Sequence, residues 1–289
     1  MNIFNLNYNT AKPFLKWAGG KTQLLKDLEK QLPLQIKETR EINNYVEPFI
    51  GGGAFFFYLK NNYNIDRALI SDVNKEIIIG YLTIKNNHKE LIDELQRIQD
   101  EYLMKSTEER KKYYYNIRTE YNQNIPSFNY KDYDASWIIR ASQLIFLNKT
   151  CFNGLFRQNR KGEFNVPSGK YKNPKICDET NIVAVNKALQ NTEIMICDFA
   201  ETQKFVNAET LVYLDPPYRP LNNSSSFTSY SKEGFDDEDQ IRLSKYYEEL
   251  DEIGADLILS NSDPKNQNPN YNFFDNLYNK FNIQRIRAS

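Results

Sequence analysis

The sequence is poor in the residues that most often carry metal and nucleophilic chemistry. It holds one histidine, His88, and three cysteines, Cys151, Cys177 and Cys197. A lone histidine removes Ser-His-Asp, Cys-His and histidine-metal chemistry and leaves base work to carboxylates. His88 lies in an Asn/Lys-rich stretch and reads as a surface residue. The cysteines are odd in number and lack CxxC spacing. Neither a disulfide framework nor a zinc site is expected, and a reducing cytosol fits. No apolar run approaches the ~20 residues a membrane span needs, and no signal-peptide pattern is visible. Net charge is also lacking: 37 Lys and Arg stand against 38 Asp and Glu. That balance alone argues against a general polyanion binder.

What is present is a globular composition, 40% hydrophobic and 26% charged, with 20 Tyr and 18 Phe. A chain of 289 residues suggests one large domain, or a domain with an inserted module. The charge is unevenly placed. Between Arg140 and Lys175 there are eight basic residues against one acid, Glu163. Residues 233–252 carry nine acids against Arg242 and Lys245. One strongly basic segment in a neutral chain suggests a local anionic partner.

Helical spacing predicts a helix over 22–33 that stops near Pro33. Residues 43–60 read as a short strand, a glycine turn and a helix. Residues 67–85 read as a strand ending at Asp72 and then a helix. From about 75 to 148 the pattern is mainly helical, and 151–173 is Gly/Asn/Pro-rich and turn-forming. Strands return at 193–199, 211–218 and 255–262, and another is expected to begin in 282–289. The first ten residues read as a loose tail. The expectation is an α/β doubly wound sheet from 1–74 and 178–289, interrupted by a mainly helical, basic insertion over 75–177. Ligands of such sheets bind beyond the carboxyl ends of the strands. The most unusual stretches all fall there.

WAGGKTQLL, residues 17–25, contains a GKT like the end of a phosphate-binding loop. That loop needs a glycine five positions before Gly20, and Leu15 stands there. EPFIGGG, 47–53, follows a strand and lets the backbone pass close to a ligand, or simply packs helix on strand. Asp72 ends the next strand, where an acid suits hydrogen bonding to a ribose; a helix N-cap is the plainer alternative. LDPPY, 214–218, is the sharpest signal. Two prolines stiffen the chain and withhold two N–H donors. Asp215 adds a carboxylate, and Tyr218 an aromatic face. Acceptors beside a stacking surface suit a planar base that carries an amino group.

FLKWAGGK (14–21), EPFIGGGA (47–54), ISDVN (70–74), FNGLFRQNRKGEFNVPSGKY (152–171) and LDPPY (214–218), in this order, resemble the Dam-type, D12-class DNA adenine-N6 methyltransferases. The resemblance runs from about residue 13 to the end. It implies a Rossmann-like methyltransferase sheet that uses S-adenosylmethionine. It implies that 75–177 is the target-recognition module for double-stranded DNA.

By that resemblance Trp17, Gly19, Gly20 and Lys21 are cofactor-site residues, and Glu47, Gly51 and Gly53 form the methionine-side loop. Asp72 is the ribose-binding acid, and Asp198 and Phe199 flank the cofactor adenine. Asp215, Pro216 and Tyr218 form the catalytic motif, with Asp215 also at the cofactor. N6–H bonds to the Asp215 carboxylate and the Pro216 carbonyl would favour the nucleophilic amine, with no metal required. The target adenine would flip out of the duplex and stack on Tyr218. Lys16 and Arg157 are the expected base readers. Phe152, Asn153 and Leu155 are the element that enters the duplex, and Arg160, Lys161 and Lys170 add DNA contacts. The implied target is GATC, and the implied place is the cytoplasm, at the nucleoid. A restriction endonuclease is a possible functional partner without stable contact.

Three other readings stay open on sequence alone. An amino-methyltransferase acting on RNA or protein would share EPFIGGG and DPPY. A P-loop NTPase fails on Leu15. A methylase-derived DNA-binding protein would bind without turnover. Family members usually continue past the match to Ile286–Ser289 with a polar loop and a last strand, so a sheet with one edge strand fewer is expected.

Overall fold

The computed structural model describes residues 10–17, 19–159, 161–218, 235–266 and 268–286. Residues 1–9 of the expected tail, Arg160 and residues 287–289 lie outside them.

Five strands form one sheet: β1 (Glu41–Glu47), β2 (Asn64–Asp72), β3 (Thr192–Ile196), β4 (Thr210–Leu214) and β5 (Asp256–Leu259). Their spatial order is β3-β2-β1-β4-β5, and every pairing is parallel. The interior strand β4 is a fully buried, mainly apolar run because a parallel sheet is covered on both faces. Leu211, Val212, Tyr213 and Leu214 of β4 are all buried. From β1 the chain builds outward to β2 and β3, then returns to β4 and β5 on the other side. The switch point therefore lies between the carboxyl ends of β1 and β4, where such sheets bind ligands. EPFIGGG leaves β1 there and DPPY leaves β4 there.

Two short helices, α1 (Leu25–Lys30) and α2 (Leu34–Thr39), replace the single helix expected over 22–33. Pro33 does not merely stop the first; it is the N-cap of the second, where its fixed φ and missing N–H cost little. Helix α3 (Ala54–Asn62) buries Phe55, Phe56, Phe57 and Leu59. Helix α4 (Lys75–Met104) is bent at Asn87, whose φ/ψ of −137°/43° is not helical. Its first half buries Ile77, Ile78 and Ile79, and the helix packs along its length against α5 (Thr107–Gln123) and α6 (Ser136–Thr150). His88 lies just past the bend and is half-buried. The hydrophobic core runs without a break from the sheet side into these helices. The described residues of 151–173 form a short 3-10 turn, Phe152–Gly154, and isolated antiparallel bridges, Cys151 with Ser168 and Gln158 with Phe164. Helix α7 (Glu179–Ala188) leads back to β3, α8 (Asp237–Ile253) connects β4 to β5, and α9 (Phe273–Leu277) follows β5.

Two further sequence expectations fail. No strand forms over 282–286. These residues are exposed, and Arg285 is held by Asp263 and Asp275 instead. Arg140, counted with the basic segment, is a core residue only 2% exposed. Its guanidinium donates to both oxygens of Glu76 at 2.6 and 2.9 Å and to the Tyr121 carbonyl at 2.8 Å. Tyr121 and Tyr130 hydroxyls donate to the same carboxylate, each at 2.7 Å. The network ties α4 to α6. Removing one partner leaves the other charge buried and unpaired, so Glu76→Ala should lower unfolding free energy by about 3–5 kcal/mol. Urea denaturation measures it.

Candidate active site

Asp215 sits directly after β4, and Lys21 reaches it from the segment before α1. The Lys21 ammonium donates to both carboxylate oxygens, at 2.6 and 2.8 Å, and to the Gly19 carbonyl at 3.1 Å. It also lies 4.3 Å from the centre of the Tyr218 ring. Lys21 is buried, whereas the Tyr218 ring is exposed. Burial raises the Asp215 pKa above the ordinary aspartate value, and Lys21 opposes that rise. The DPPY turn is held from behind. The Pro217 carbonyl accepts from Gln240 Nε2 at 3.4 Å, and Gln240 in turn accepts from Asn261 Nδ2 at 3.1 Å. The Leu214 carbonyl accepts from Ser260 N–H at 2.8 Å.

Glu47, at the end of β1, is 2% exposed and accepts from the Tyr45 hydroxyl at 2.6 Å. Burial pushes its pKa well up, and nearby Asp215 and Asp72 push the same way. Asp72 ends the neighbouring strand. Its two oxygens accept from Gly51 N–H at 3.0 Å and Asn74 N–H at 2.9 Å. Burial moves its pKa up to about 6 despite those donors. Asn74, not Asp72, caps α4. Asp215 thus grips the Lys21 ammonium, Glu47 lies within reach of its charge, and Asp72 stands on the neighbouring strand held by backbone N–H groups. Among the described residues, no group of three or more His, Cys, Asp or Glu is arranged to hold a metal ion.

The glycine loop is shaped by a neighbour. Gly51 has φ +44°, and a Cβ there would lie 2.9 Å from Trp17 Cδ1. A Cβ on Gly53 would lie 2.5 Å from the Tyr81 hydroxyl. Trp17 covers the loop on one side and stacks on Phe156 on the other, with centroids 4.7 Å apart. Gly19 and Gly20 are exposed beside it. Asp198 stands apart from Lys21. It caps the short 3-10 segment that follows β3, accepting from Ala200 N–H at 3.0 Å, and pairs with both terminal nitrogens of Arg242. Burial would raise its pKa, but Arg242 and that N–H hold it below the usual value. Phe199 is buried among Phe49, Phe235 and Tyr246.

Residues 152–171 form a surface beside this cleft. Phe152 is 54% exposed and Leu155 is 39% exposed, so neither is a core residue. Asn153 has φ +58° at the tip of the turn. Lys16, Arg157, Lys161 and Lys170 are exposed around them. Arg157 Nε donates to Asn165 Oδ1 at 2.8 Å. The Lys16 backbone is bonded through both N–H and C=O to the side chain of Asn148, at 2.8 and 3.0 Å.

A family model, D12 class N6 adenine-specific DNA methyltransferase, matches residues 17–289. The chain belongs to that family. It is 50% identical over 278 residues to Type II methyltransferase M.MjaIII of Methanocaldococcus jannaschii, covering 96% of this chain and 91% of the relative. It is 38% identical to Type II methyltransferase M1.LlaDCHI of Lactococcus lactis subsp. cremoris, covering 100% and 92%. It is 32% identical to DNA adenine methylase of Escherichia coli K12, covering 87% and 81%. The protein is thus an adenine-specific DNA methyltransferase with a Rossmann-like sheet.

Sequence reasoning missed Gln240, Asn261, Arg242 and Asn148. Each is a common polar residue in an unremarkable helix or loop, and no local spacing marks it. The Lys21–Asp215 contact yields a prediction. Lys21→Met should raise the Asp215 pKa further, because the opposing positive charge is gone. It should also destabilise the fold by about 2 kcal/mol at neutral pH, less than a fully buried pair would cost. That loss should shrink as falling pH protonates Asp215. Carbon-13 NMR of the carboxyl and urea midpoints against pH measure both.

Proposed function

We propose that this methyltransferase uses S-adenosylmethionine to methylate adenine N6 within GATC, on a base flipped into the cleft at Asp215–Tyr218. The observation that carries it is the Asp215 carboxylate at the switch point, beside the exposed face of Tyr218. Residues 1–74 and 178–289 then make the catalytic domain, and 75–177 the target-recognition insertion.

The cleft fits the cofactor. Asp72, its oxygens already oriented by two N–H groups, suits the ribose hydroxyls as donors. The excess of carboxylates over Lys21 suits a cationic sulfonium and ammonium group. Gly51 and Gly53 let the loop pack tightly under Trp17 and Tyr81, which sets its backbone beside the cleft. In this reading Trp17, Gly19, Gly20, Lys21, Glu47, Gly51, Gly53, Asp72, Asp198, Phe199 and Asp215 line the cofactor site. When bound, S-adenosylmethionine supplies the electrophilic methyl group.

The chain's own residues do the rest. Asp215 and the Pro216 carbonyl accept the two N6–H bonds, which draws the amine lone pair out of the ring. Lys21 gives up its contact with Asp215 as the amino group takes its place. Tyr218 stacks on the flipped base and offsets part of the few kcal/mol that flipping costs. Positioning and fixed electrostatics carry the acceleration. Exposed Phe152, Asn153 and Leu155 enter the duplex. Lys16 and Arg157 read guanine edges, and Arg160, Lys161 and Lys170 add DNA contacts. The Type II names of the two relatives favour a modification role alongside a restriction endonuclease, acting on cytoplasmic DNA.

Tritium transfer from labelled S-adenosylmethionine to a GATC duplex and a GTAC duplex tests this. Label should enter GATC alone, and Asp215→Ala should cut the rate by about 10²-fold or more. Equal labelling of both duplexes would overturn the GATC assignment. Cofactor binding without labelling of either would point to a DNA-binding protein without turnover.

Cofactor affinity should also titrate. Ionised Asp72 accepts ribose hydroxyls, and its protonated form accepts fewer. Affinity should therefore fall as pH drops through about 6. Asp72→Ala should raise Kd about tenfold or more and abolish that titration. Isothermal calorimetry across pH reads both.

A further inference from the structure

Asn148 lies in the last turn of α6, a helix of the insertion with eleven buried residues, and is itself 1% exposed. Its side-chain amide spans two segments distant in sequence. Oδ1 accepts from Lys16 N–H at 2.8 Å, and Nδ2 donates to the Lys16 carbonyl at 3.0 Å. The amide thus engages both backbone groups of one residue, as a neighbouring strand would. Nδ2 also donates to the Gly154 carbonyl at 3.2 Å. Gly154 has φ +64°, and a Cβ there would lie 3.0 Å from Lys16 Cδ and 3.6 Å from Lys16 Cβ. The alkyl stem of Lys16 therefore lies across Gly154, beside exposed Phe152.

We propose that Asn148 is a positioning residue for sequence specificity: it locks the Lys16 cation and the Phe152–Gly154 turn into one rigid DNA-reading unit. This rests on the DNA-reading role of Lys16 proposed above. A lysine is a flexible point charge, so its backbone and stem must be fixed before it can discriminate one base edge. Lys16 belongs to the segment that also carries Trp17 and Lys21, whereas the turn belongs to the insertion. Without the clamp, one reader could shift relative to the other by more than a hydrogen bond tolerates.

The test compares kcat/KM on a GATC duplex with kcat/KM on duplexes in which either guanine is replaced in turn. Asn148→Asp keeps the acceptor for Lys16 N–H and sets an oxygen against the two carbonyls. It should lower discrimination at one guanine by about tenfold, the scale of one base-edge contact. Lys16→Ala should do the same, and the double variant should be no less specific than Lys16→Ala alone. Gly154→Ala, whose methyl displaces the Lys16 stem and leaves the Asn148 amide intact, should also reduce discrimination if Asn148→Asp does not fold. A uniform loss of rate on all duplexes in the folded variants, or additive effects of the Lys16 and Asn148 changes, would overturn the proposal. Absence of guanine discrimination in the wild-type enzyme would instead overturn the reading on which it rests.

Discussion

The contact between Lys21 and Asp215 is the constraint on which the rest of the site depends. A carboxylate at the end of a buried parallel strand is poorly solvated and needs a cation. The cation comes from a segment 194 residues earlier. Pairing the two draws that segment across the carboxyl edge of the sheet. The segment's other side chains are then placed as a consequence. Trp17 comes to rest on Gly51, where a Cβ would lie 2.9 Å from its ring, and on Gly52, and Lys16 comes to rest on Gly154. Catalytic edge, glycine loop and basic surface thus share one strap.

The surroundings keep this arrangement stiff. Gln240, Asn261 and Ser260 hold the DPPY turn from α8 and from the end of β5. Phe156 backs Trp17, and the Glu76–Arg140 pair fixes the helices from which residues 151–171 project. The turn that carries the acceptors is thereby set in advance, and the Lys21 contact is what must be exchanged. The carboxylates held there carry a cost in the free protein, since burial disfavours their ionised forms. A cationic group placed beside them would offset that cost.

Much of this was legible in the sequence, for a physical reason. Each strand carries its apolar residues toward its carboxyl end and is followed by a polar or glycine-rich turn, so the strands and the turns after them stand out locally. LDPPY stood out because two prolines beside an acid and an aromatic ring are hard to explain as packing. What was not legible depends on distance along the chain. Arg140 looked like a member of a basic patch because Glu76, its partner in the core, is 64 residues away. Lys21 alone reads as a solvated lysine, and Asn148 alone as an ordinary helical asparagine. The strand expected to begin in 282–289 does not form over 282–286, where Arg285 is drawn to two aspartates that lie 10 and 22 residues away in sequence.

The central claim is that Asp215 grips the exocyclic amino group of an extruded base. The most direct measurement is affinity for two GATC duplexes with an abasic site opposite the target position. One carries adenine at the target and the other carries purine, which lacks the 6-amino group. The account predicts that adenine is preferred about tenfold, the value of a hydrogen bond to a charged acceptor, and that Asp215→Ala abolishes the preference. Equal affinity of the wild-type enzyme for the two duplexes would contradict it.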